Sequence, residues 1–269
     1  MLFLQWGALD MGDRAENEAS FSQSAVAVRS AASPVVFCDT LGLYQAPLGQ
    51  SLDTVVVFAS PWGLEELCTT RKFWRIIADG LATRSIGSFR FDWPGTGDGR
   101  DDIDFSKGLA LWRDTLLEAA RKARALSGAS RVVIIGQSLG AAVATETASQ
   151  IDGIAALALL APVISGRYYA RELAVWSSMV DADLRLTDEQ RIRNSVSIAS
   201  LTMQPEVAAD VKKINLLALD VKPAPQCLLL ARTDRPNDAE LATHLEKLGS
   251  DVTVEAFADY DKLISNPVI

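Results

Sequence analysis

The residue best placed to do chemistry in this sequence is Ser138, the central residue of the pattern G-Q-S-L-G at positions 136–140. A β-branched block at 131–135 precedes the pattern, and a run of helix-forming residues at 141–148 follows it. This order predicts a strand, a sharp turn with serine at its tip, and a helix. The two glycines would let strand and helix pack closely around a strained turn. A serine presented in this way is suited to nucleophilic attack on a carbonyl carbon.

Such an attack places negative charge on the substrate oxygen, which needs fixed hydrogen-bond donors. The backbone N–H of Leu139, directly after the serine, is the first candidate. The second is expected in the loop after the apolar segment 54–59. Pro61 has no N–H, so Trp62 is the best oxyanion donor there and Gly63 the next. Trp62 could equally pack its ring on the core, and the two roles are compatible because the donor is the main chain.

The composition excludes several classes of protein. The chain has 269 residues and is 49% hydrophobic, which is enough for one domain with a full core. Its formal net charge of −8 argues against nucleic acid or an anionic membrane surface as the main partner. A single histidine, His244, nearly excludes a zinc site built from imidazoles. We therefore expect no metal and no cofactor.

The cysteines and the N-terminal segment indicate a cytoplasmic setting. Cys38, Cys68 and Cys227 are odd in number and form no C-x-x-C pair, which favours a reducing compartment. All three lie in or beside apolar runs, so buried thiols are expected. Residues 1–24 are predicted to form a flexible leader, since the apolar start is too short to cross a bilayer and lacks the basic residues of a signal peptide. No membrane span is expected.

Apolar and amphipathic segments alternate along most of the chain, which predicts a mostly parallel central sheet with helices on both faces. Expected strands are 25–29, 34–38, 41–46, 54–59, 86–91, 131–135, 154–160, 226–231 and 252–257, and expected helices are 68–83, 109–126, 141–148 and 238–248. Residues 163–224 interrupt this alternation, because their pattern is mixed, favours helix and contains more charged residues. We interpret them as a helical cap inserted into a core of residues 25–162 and 225–269.

Three further motifs resemble those of a known superfamily. Residues 91–99, F-D-W-P-G-T-G-D-G, resemble the F-D-x-P-G-x-G-D-S turn of many bacterial α/β-hydrolases. Residues 60–66, S-P-W-G-L-E-E, and 166–173, G-R-Y-Y-A-R-E-L, are similar to the branch associated with exosortase systems, near the serine aminopeptidase-like group. The resemblance covers about residues 40–258. It implies an α/β-hydrolase fold and a serine hydrolase acting on an ester, thioester or amide, with polysaccharide or lipid metabolism as one setting.

Other residues are assigned to the acid and to substrate contacts. The acid of this fold follows the strand 226–231, where Asp234 is preferred over Asp238, which opens a helix and has N-capping as its plain role. In the substrate-contacting set, Arg167 and Tyr168, with the nearby Arg171, could orient a carboxylate or phosphate or could fasten the cap, and both remain open. The other two substrate contacts are Gln137 and Gly63. Asp92 and the glycines beside it favour a structural turn.

The expected histidine is missing. A Ser–His–Asp enzyme of this fold takes its base from the loop after the last strand, and residues 258–269 contain no histidine and are too few for that loop plus a closing helix. His244 flanks the apolar stripe of its own helix, where a locally satisfied role is expected. Three explanations stay open. The chain is cut short, a nonstandard base such as Asp261 serves, or the protein no longer catalyses.

The sequence thus predicts a serine hydrolase that cleaves an ester, thioester or amide of a small molecule through an acyl-enzyme on Ser138. A non-catalytic binding protein on the same scaffold and an acyl-thioesterase are the alternatives. The expected partner is a small-molecule acyl substrate, and the oligomeric state is left open.

Overall fold

The computed structural model describes residues 30–63, 70–191, 196–198, 201–232 and 235–265. Within these ranges the main strands form one eight-stranded sheet, and two very short strands form a separate hairpin. The strands in chain order are β1 Ala32–Phe37, β2 Thr40–Gln45, β3 Thr54–Ala59, β4 Gly87–Phe91, β5 Arg131–Gln137, β6 Ile154–Leu160, β7 Ser197–Ile198, β8 Leu201–Thr202, β9 Gln226–Ala231 and β10 Asp251–Ala256.

Seven α-helices lie in the described part of the chain. They are α1 Arg71–Thr83, α2 Ala110–Ser127, α3 Ser138–Thr147, α4 Gly166–Asp183, α5 Pro205–Val211, α6 Pro236–Lys247 and α7 Tyr260–Ser265. Of these, α4 and α5, together with the β7–β8 hairpin, fall inside residues 163–224, between strands β6 and β9 of the main sheet. None of the helices in the described ranges is both long and apolar enough to cross a bilayer.

The main sheet has the order β1-β2-β4-β3-β5-β6-β9-β10. The pairs β1–β2 and β2–β4 are antiparallel, and every other pair is parallel. The order reverses around β3, so the carboxyl ends of β3 and β5 lie side by side, with Ala59 opposite Gly136. In open α/β sheets this is the edge at which ligands bind.

The two faces of the sheet are covered differently. On one face, side chains such as Val57 and Ile134 join a large core with residues of α2, α3 and α6. On the other face, Val56 and Phe58 pack on Trp74 of α1, and Val133, Ile135, Leu228 and Leu230 are only partly buried. β3 is buried at every position, which explains why its sequence is a continuous apolar run rather than an alternating one.

The predicted α/β-hydrolase architecture is confirmed, and most expected strands and helices are present within a few residues of their predicted bounds. The expected strand 25–29 lies outside the described residues. Two expectations were wrong. A closing helix, α7, does form after β10, although it is only six residues long. Cys38 is exposed rather than buried, because it lies in the tight β1–β2 turn, where Cys38 and Asp39 both adopt positive φ angles of 44° and 56°.

Candidate active site

Ser138 stands at the junction between β5 and α3, and its backbone is strained. β5 ends at Gln137, α3 begins at Ser138, and the serine has a φ of +51°. A positive φ at a residue with a side chain costs about 1–3 kcal/mol and persists only where the surroundings impose it. The strand, sharp turn and helix predicted around the G-Q-S-L-G pattern are therefore present.

The two glycines of the pattern explain how the junction closes. A Cβ on Gly136 would lie 2.6 Å from the Cα of Ala141, at the start of α3. A Cβ on Gly140 would collide with the carbonyl oxygens of Ala59 and Ser60, at the end of β3. The first turn of α3 thus packs directly against the backbone that leads into the Trp62 loop. Glycine at position 136 lets α3 pack closely on the end of β5. Glycine at position 140 lets the start of α3, which carries the Leu139 N–H, approach the segment that leads to Trp62.

The environment of Ser138 favours negative charge. The first four N–H groups of a helix, which include that of Leu139, have no acceptor within the helix and carry partial positive charge. The Ser138 carbonyl is fixed from another side, since the backbone N–H of Val163 donates to it at 3.1 Å. Ser138 is only 3% exposed, and it is not among the residues that line a cleft along α4 or a cleft beside α1.

The Trp62 loop is fastened to α4. The Trp62 side chain is 1% exposed and belongs to the core, as the packing alternative expected. Its carbonyl oxygen accepts a hydrogen bond from the Tyr169 hydroxyl at 2.9 Å. Because the peptide that follows is trans, its N–H, which belongs to Gly63, points away from Tyr169. Tyr169 therefore sets the orientation of the Gly63 N–H, the donor predicted as the next choice after that of Trp62.

Gln137, predicted to contact substrate, is fully buried. Neither its amide oxygen nor its amide nitrogen has a hydrogen-bond partner within the described residues. Ile135, two residues earlier, packs with Phe58 on the α1 face, so strand alternation places Gln137 on that face too. A buried amide without partners is costly and calls for a water molecule or a ligand group.

The predicted acid, Asp234, lies outside the described residues. Its rival, Asp238, is 1% exposed and accepts hydrogen bonds from the Arg232 backbone N–H at 2.8 Å and from the Arg232 guanidinium at 3.4 Å. The expectation that Asp238 opens and caps its helix was wrong. α6 begins at Pro236 with Arg235 at the N-cap position, because proline is favoured in the first helical turn. Asp238 instead closes the loop after β9 onto Arg232.

Arg232 joins that loop to two other elements. Its guanidinium donates to the carbonyl of Pro162, just after β6, at 3.2 Å. It also lies over the ring of Tyr260, the first residue of α7, with 5.8 Å between the guanidinium carbon and the ring centroid. The end of β6, the loop after β9 and the start of α7 are thus held around one cation.

Tyr168 and Arg167 differ in their surroundings. Tyr168 is 52% exposed, accepts a hydrogen bond from Arg235 at 2.9 Å, and has the Arg235 guanidinium over its ring at 5.4 Å. Arg235 also forms an ion pair with Glu172, one turn further along α4. These contacts attach α4 to the loop after β9. Arg167 and Arg171 are exposed on the same helix.

His244 is satisfied locally, as expected. Its Nε2 lies 2.9 Å from the carbonyl oxygen of Leu219, and the residue belongs to the last turn of α6. Asp261, the nonstandard base considered above, is exposed on α7. Within the described ranges, no group of three or more histidine, cysteine, aspartate or glutamate side chains is arranged to bind a metal ion.

The turn after β4 is structural. Asp92 pairs with the Arg71 guanidinium and accepts the backbone N–H of Asp98 at 2.9 Å. Gly97 has a φ of +48°, and a Cβ there would strike both Arg71 and Asp92. Burial raises the pKa of Asp92, although the hydrogen bond from Asp98 and the charge of Arg71 oppose that rise. The structural interpretation of this motif is confirmed.

Sequence reasoning missed Tyr169 and Arg235. Tyr169 lies inside the quoted motif 166–173, but its neighbours Arg167 and Tyr168 were preferred on charge type alone. A signal was present, since Gly166, Tyr169 and Leu173 have helical spacing and form the buried side of α4. Arg235 adjoins Asp234, and no periodic pattern marks a residue in such a short loop.

A comparison with protein families gives a match over residues 56–263 to the model described as the alpha/beta hydrolase family. That range is most of the chain. The chain belongs to the alpha/beta hydrolase family. No curated protein matches it significantly.

Solved structures support the fold of this alpha/beta hydrolase. A carboxyl esterase from Bacillus coagulans has a TM-score of 0.60 at 13% identity, covering 84% of this chain and 90% of that one. The alpha/beta hydrolase GrgF from Penicillium sp. sh18 has a TM-score of 0.58 at 15% identity, covering 85% of this chain and 90% of that one. Proline iminopeptidase from Mycobacterium smegmatis has a TM-score of 0.53 at 15% identity, covering 84% of this chain and 90% of that one. At these identities the likeness establishes the fold, and the substrate has to be argued separately.

Proposed function

We propose that this alpha/beta hydrolase is a cytoplasmic serine hydrolase that cleaves a small-molecule ester, thioester or amide through an acyl-enzyme on Ser138. The observation that carries the proposal is the strained backbone of Ser138 at the junction of β5 and α3. A strained serine beside unpaired helix amides is the arrangement that presents a nucleophile and stabilises an oxyanion.

The reaction would run in two halves. The Ser138 oxygen forms a bond to the substrate carbonyl carbon while its proton passes to a base, and the amides of Leu139 and Trp62 stabilise the oxyanion, with Gly63 as the next donor. The bond to the leaving group then breaks, the leaving group takes the proton, and water later hydrolyses the acyl-enzyme. Asp234 would orient the base. Residues 163–224 would form a cap, and Arg167, Tyr168 and Gln137 would contact the substrate.

One observation favours a second candidate, a non-catalytic binding protein on the same scaffold. The only histidine in the sequence, His244, lies in α6 with its Nε2 at hydrogen-bond distance from the Leu219 carbonyl. Loss of the base in a triad can cost nearly as much as loss of the whole unit, leaving about 10³–10⁴ over water from the oxyanion donors and binding. Ser138 reactivity therefore separates the two candidates.

The decisive experiment is labelling with a fluorophosphonate probe. We expect the native protein to be labelled and Ser138→Ala to remain unlabelled, with Ser127→Ala, at the far end of α2, labelled like the native protein. Circular dichroism checks that each variant is folded. A folded native protein that takes up no label would reject turnover and favour binding.

A substrate panel then tests the finer assignment. Matched p-nitrophenyl esters, acyl-thioesters and aminoacyl amides would separate an esterase, the acyl-thioesterase alternative and the serine aminopeptidase-like, exosortase-associated branch. Thioester hydrolysis well above ester hydrolysis supports the thioesterase. Release of N-terminal residues from amides supports the aminopeptidase-like branch, and a preference for simple esters argues against both.

A further inference from the structure

A second cleft, whose lining does not include Ser138, lies beside α1 and has a volume of about 460 Å³. It opens between α1 and the ends of β2 and β4. Four cations line it, Arg71, Lys72, Arg75 and Arg90, together with two carboxylates, Asp92 and Asp98. A volume of this size accommodates a small organic molecule.

The charges in this cleft are unbalanced. Arg71 is occupied, since its guanidinium pairs with both Asp92 and Asp98. Within the described ranges no carboxylate oxygen lies within 4.0 Å of the charged nitrogens of Lys72, Arg75 or Arg90. The lining is therefore positive, on a chain whose formal net charge is −8. A local excess of cations on an acidic protein concentrates anions at that point.

Arg90 is the least exposed of the four cations in this cleft, so burying its charge costs the most free energy. It projects from β4 and is partly buried, and its Nε is shielded from solvent without a hydrogen-bond partner among the described residues. Burial lowers the pKa of Arg90; the charge of Asp79 is the next largest influence and opposes this, and the like charge of Arg75 lowers the pKa further. An unpaired guanidinium in this position is stabilised by an anion that accepts its N–H groups.

The rest of the lining adds a further donor and an apolar wall. Trp74 is 2% exposed, and its indole N–H has no partner in the described part of the chain. Leu41, Leu43 and Phe91 line the same cleft. The site therefore combines unpaired donors with an apolar surface, as ligand sites commonly do.

We propose that this cleft binds a small organic phosphate monoester. The phosphate would contact Lys72, Arg75 and Arg90, and the organic part would lie against Leu41 and Leu43. A phosphate monoester carries about −1.5 to −2 charges near neutral pH and three acceptor oxygens, which matches several cations without an ion-pair partner among the described residues better than a carboxylate with a single charge does. The proposal is independent of Ser138 chemistry.

The test is calorimetric titration of the full chain with phenyl phosphate. We expect saturable binding that weakens about tenfold or more in Arg90→Gln and in Arg75→Gln, because each loses a charge-assisted hydrogen bond. Arg84→Gln is the matched control, since Arg84 follows the same helix but donates to the Gly80 carbonyl outside the cleft. It should bind like the native protein, as should Ser138→Ala.

Each arm decides part of the proposal. Arg75 is exposed, so its variant remains informative if Arg90→Gln fails to fold by circular dichroism. No saturable binding at millimolar phenyl phosphate, or equal binding by native protein and a folded Arg75→Gln, would overturn the site. Benzoate binding as tightly as phenyl phosphate would reject the phosphate assignment. Inorganic phosphate binding as tightly would reject the role of the apolar wall.

Discussion

At the scale of single residues, the left-handed backbone of Ser138 depends on neighbours that have no side chain. Gly136 admits the start of α3 on one side, and Gly140 admits the end of β3 on the other. Two backbone segments thereby meet at distances that no Cβ would allow. This packing maintains the strain at the serine.

Gly140→Ala should therefore destabilise the protein. The new Cβ would meet two carbonyl oxygens of rigid backbone, and overpacking of this kind costs about 1–3 kcal/mol. Urea denaturation measures the change. The matched control is Gly80→Ala inside α1, where the Cβ has only an ordinary contact at 3.5 Å with Arg84 and where alanine should stabilise by about 0.5–1 kcal/mol. Effects of the same sign at both sites would contradict the argument.

The neighbours Tyr168 and Tyr169 provide a second test at this scale. Tyr169→Phe removes the hydrogen bond to the Trp62 carbonyl and should lower the free energy of unfolding by about 0.5–1.5 kcal/mol. Tyr168→Phe, on the half-exposed neighbour, should have a smaller effect. If the protein is a hydrolase, Tyr169→Phe should also lower kcat, since the Trp62–Gly63 peptide is freed. Equal losses of stability from the two variants would reject a special role for Tyr169.

At the scale of elements, the sequence predicts the sheet far better than the segments between strands. The buried strands β3, β6 and β9 are found at the bounds that their apolar runs indicate, because a parallel sheet covered on both faces requires such runs. The β7–β8 hairpin, with two residues in each strand, was not predicted, since a period of two needs a longer segment to be visible.

The candidate site was predictable only where geometry is local. The turn at Ser138 follows from residues adjacent in sequence. The contacts of Tyr169 with Trp62 and of Arg235 with Tyr168 join residues 107 and 67 positions apart, and single residues carry no sign of such pairings. The start of α6 was misplaced because an acidic residue outweighed Pro236, although both are helix-start signals.

Asp238 tests the loop after β9. Asp238→Ala leaves Arg232 without its carboxylate while the arginine stays largely buried, so a loss of about 3–5 kcal/mol is expected. Asp238→Asn should lose less, because its amide oxygen can still accept the Arg232 backbone N–H. Glu118→Gln, which breaks the more exposed pair with Arg121, should cost less than about 1 kcal/mol. Chemical denaturation of the three variants gives the order, and a different order would contradict this assignment.

At the scale of the whole molecule, the thiols report on folding. Burial raises the pKa of Cys227 from its ordinary value of 9.0 to about 11. Because the folded pKa lies above the unfolded one, the neutral thiol favours the fold below about pH 9, and this contribution is lost as the pH rises towards 11.

Thiol labelling makes this measurable. At about pH 8 the native protein should react at Cys38, which is exposed in the β1–β2 turn, and leave Cys227 unmodified until denaturant is added. Peptide mapping by mass spectrometry distinguishes the cysteines, and Cys38→Ser should leave the behaviour of Cys227 unchanged. Rapid labelling of Cys227 in the folded protein would show that β9 is more open than described.

The contacts of Arg235 have a mechanical consequence. One guanidinium joins Tyr168 and Glu172 of α4 to the chain that leads into α6. If α4 swings outward to admit a molecule, either these bonds break together or the stretch before α6 is pulled along. Opening of the entrance and displacement of the segment before α6 would then occur as one coordinated movement about Arg235.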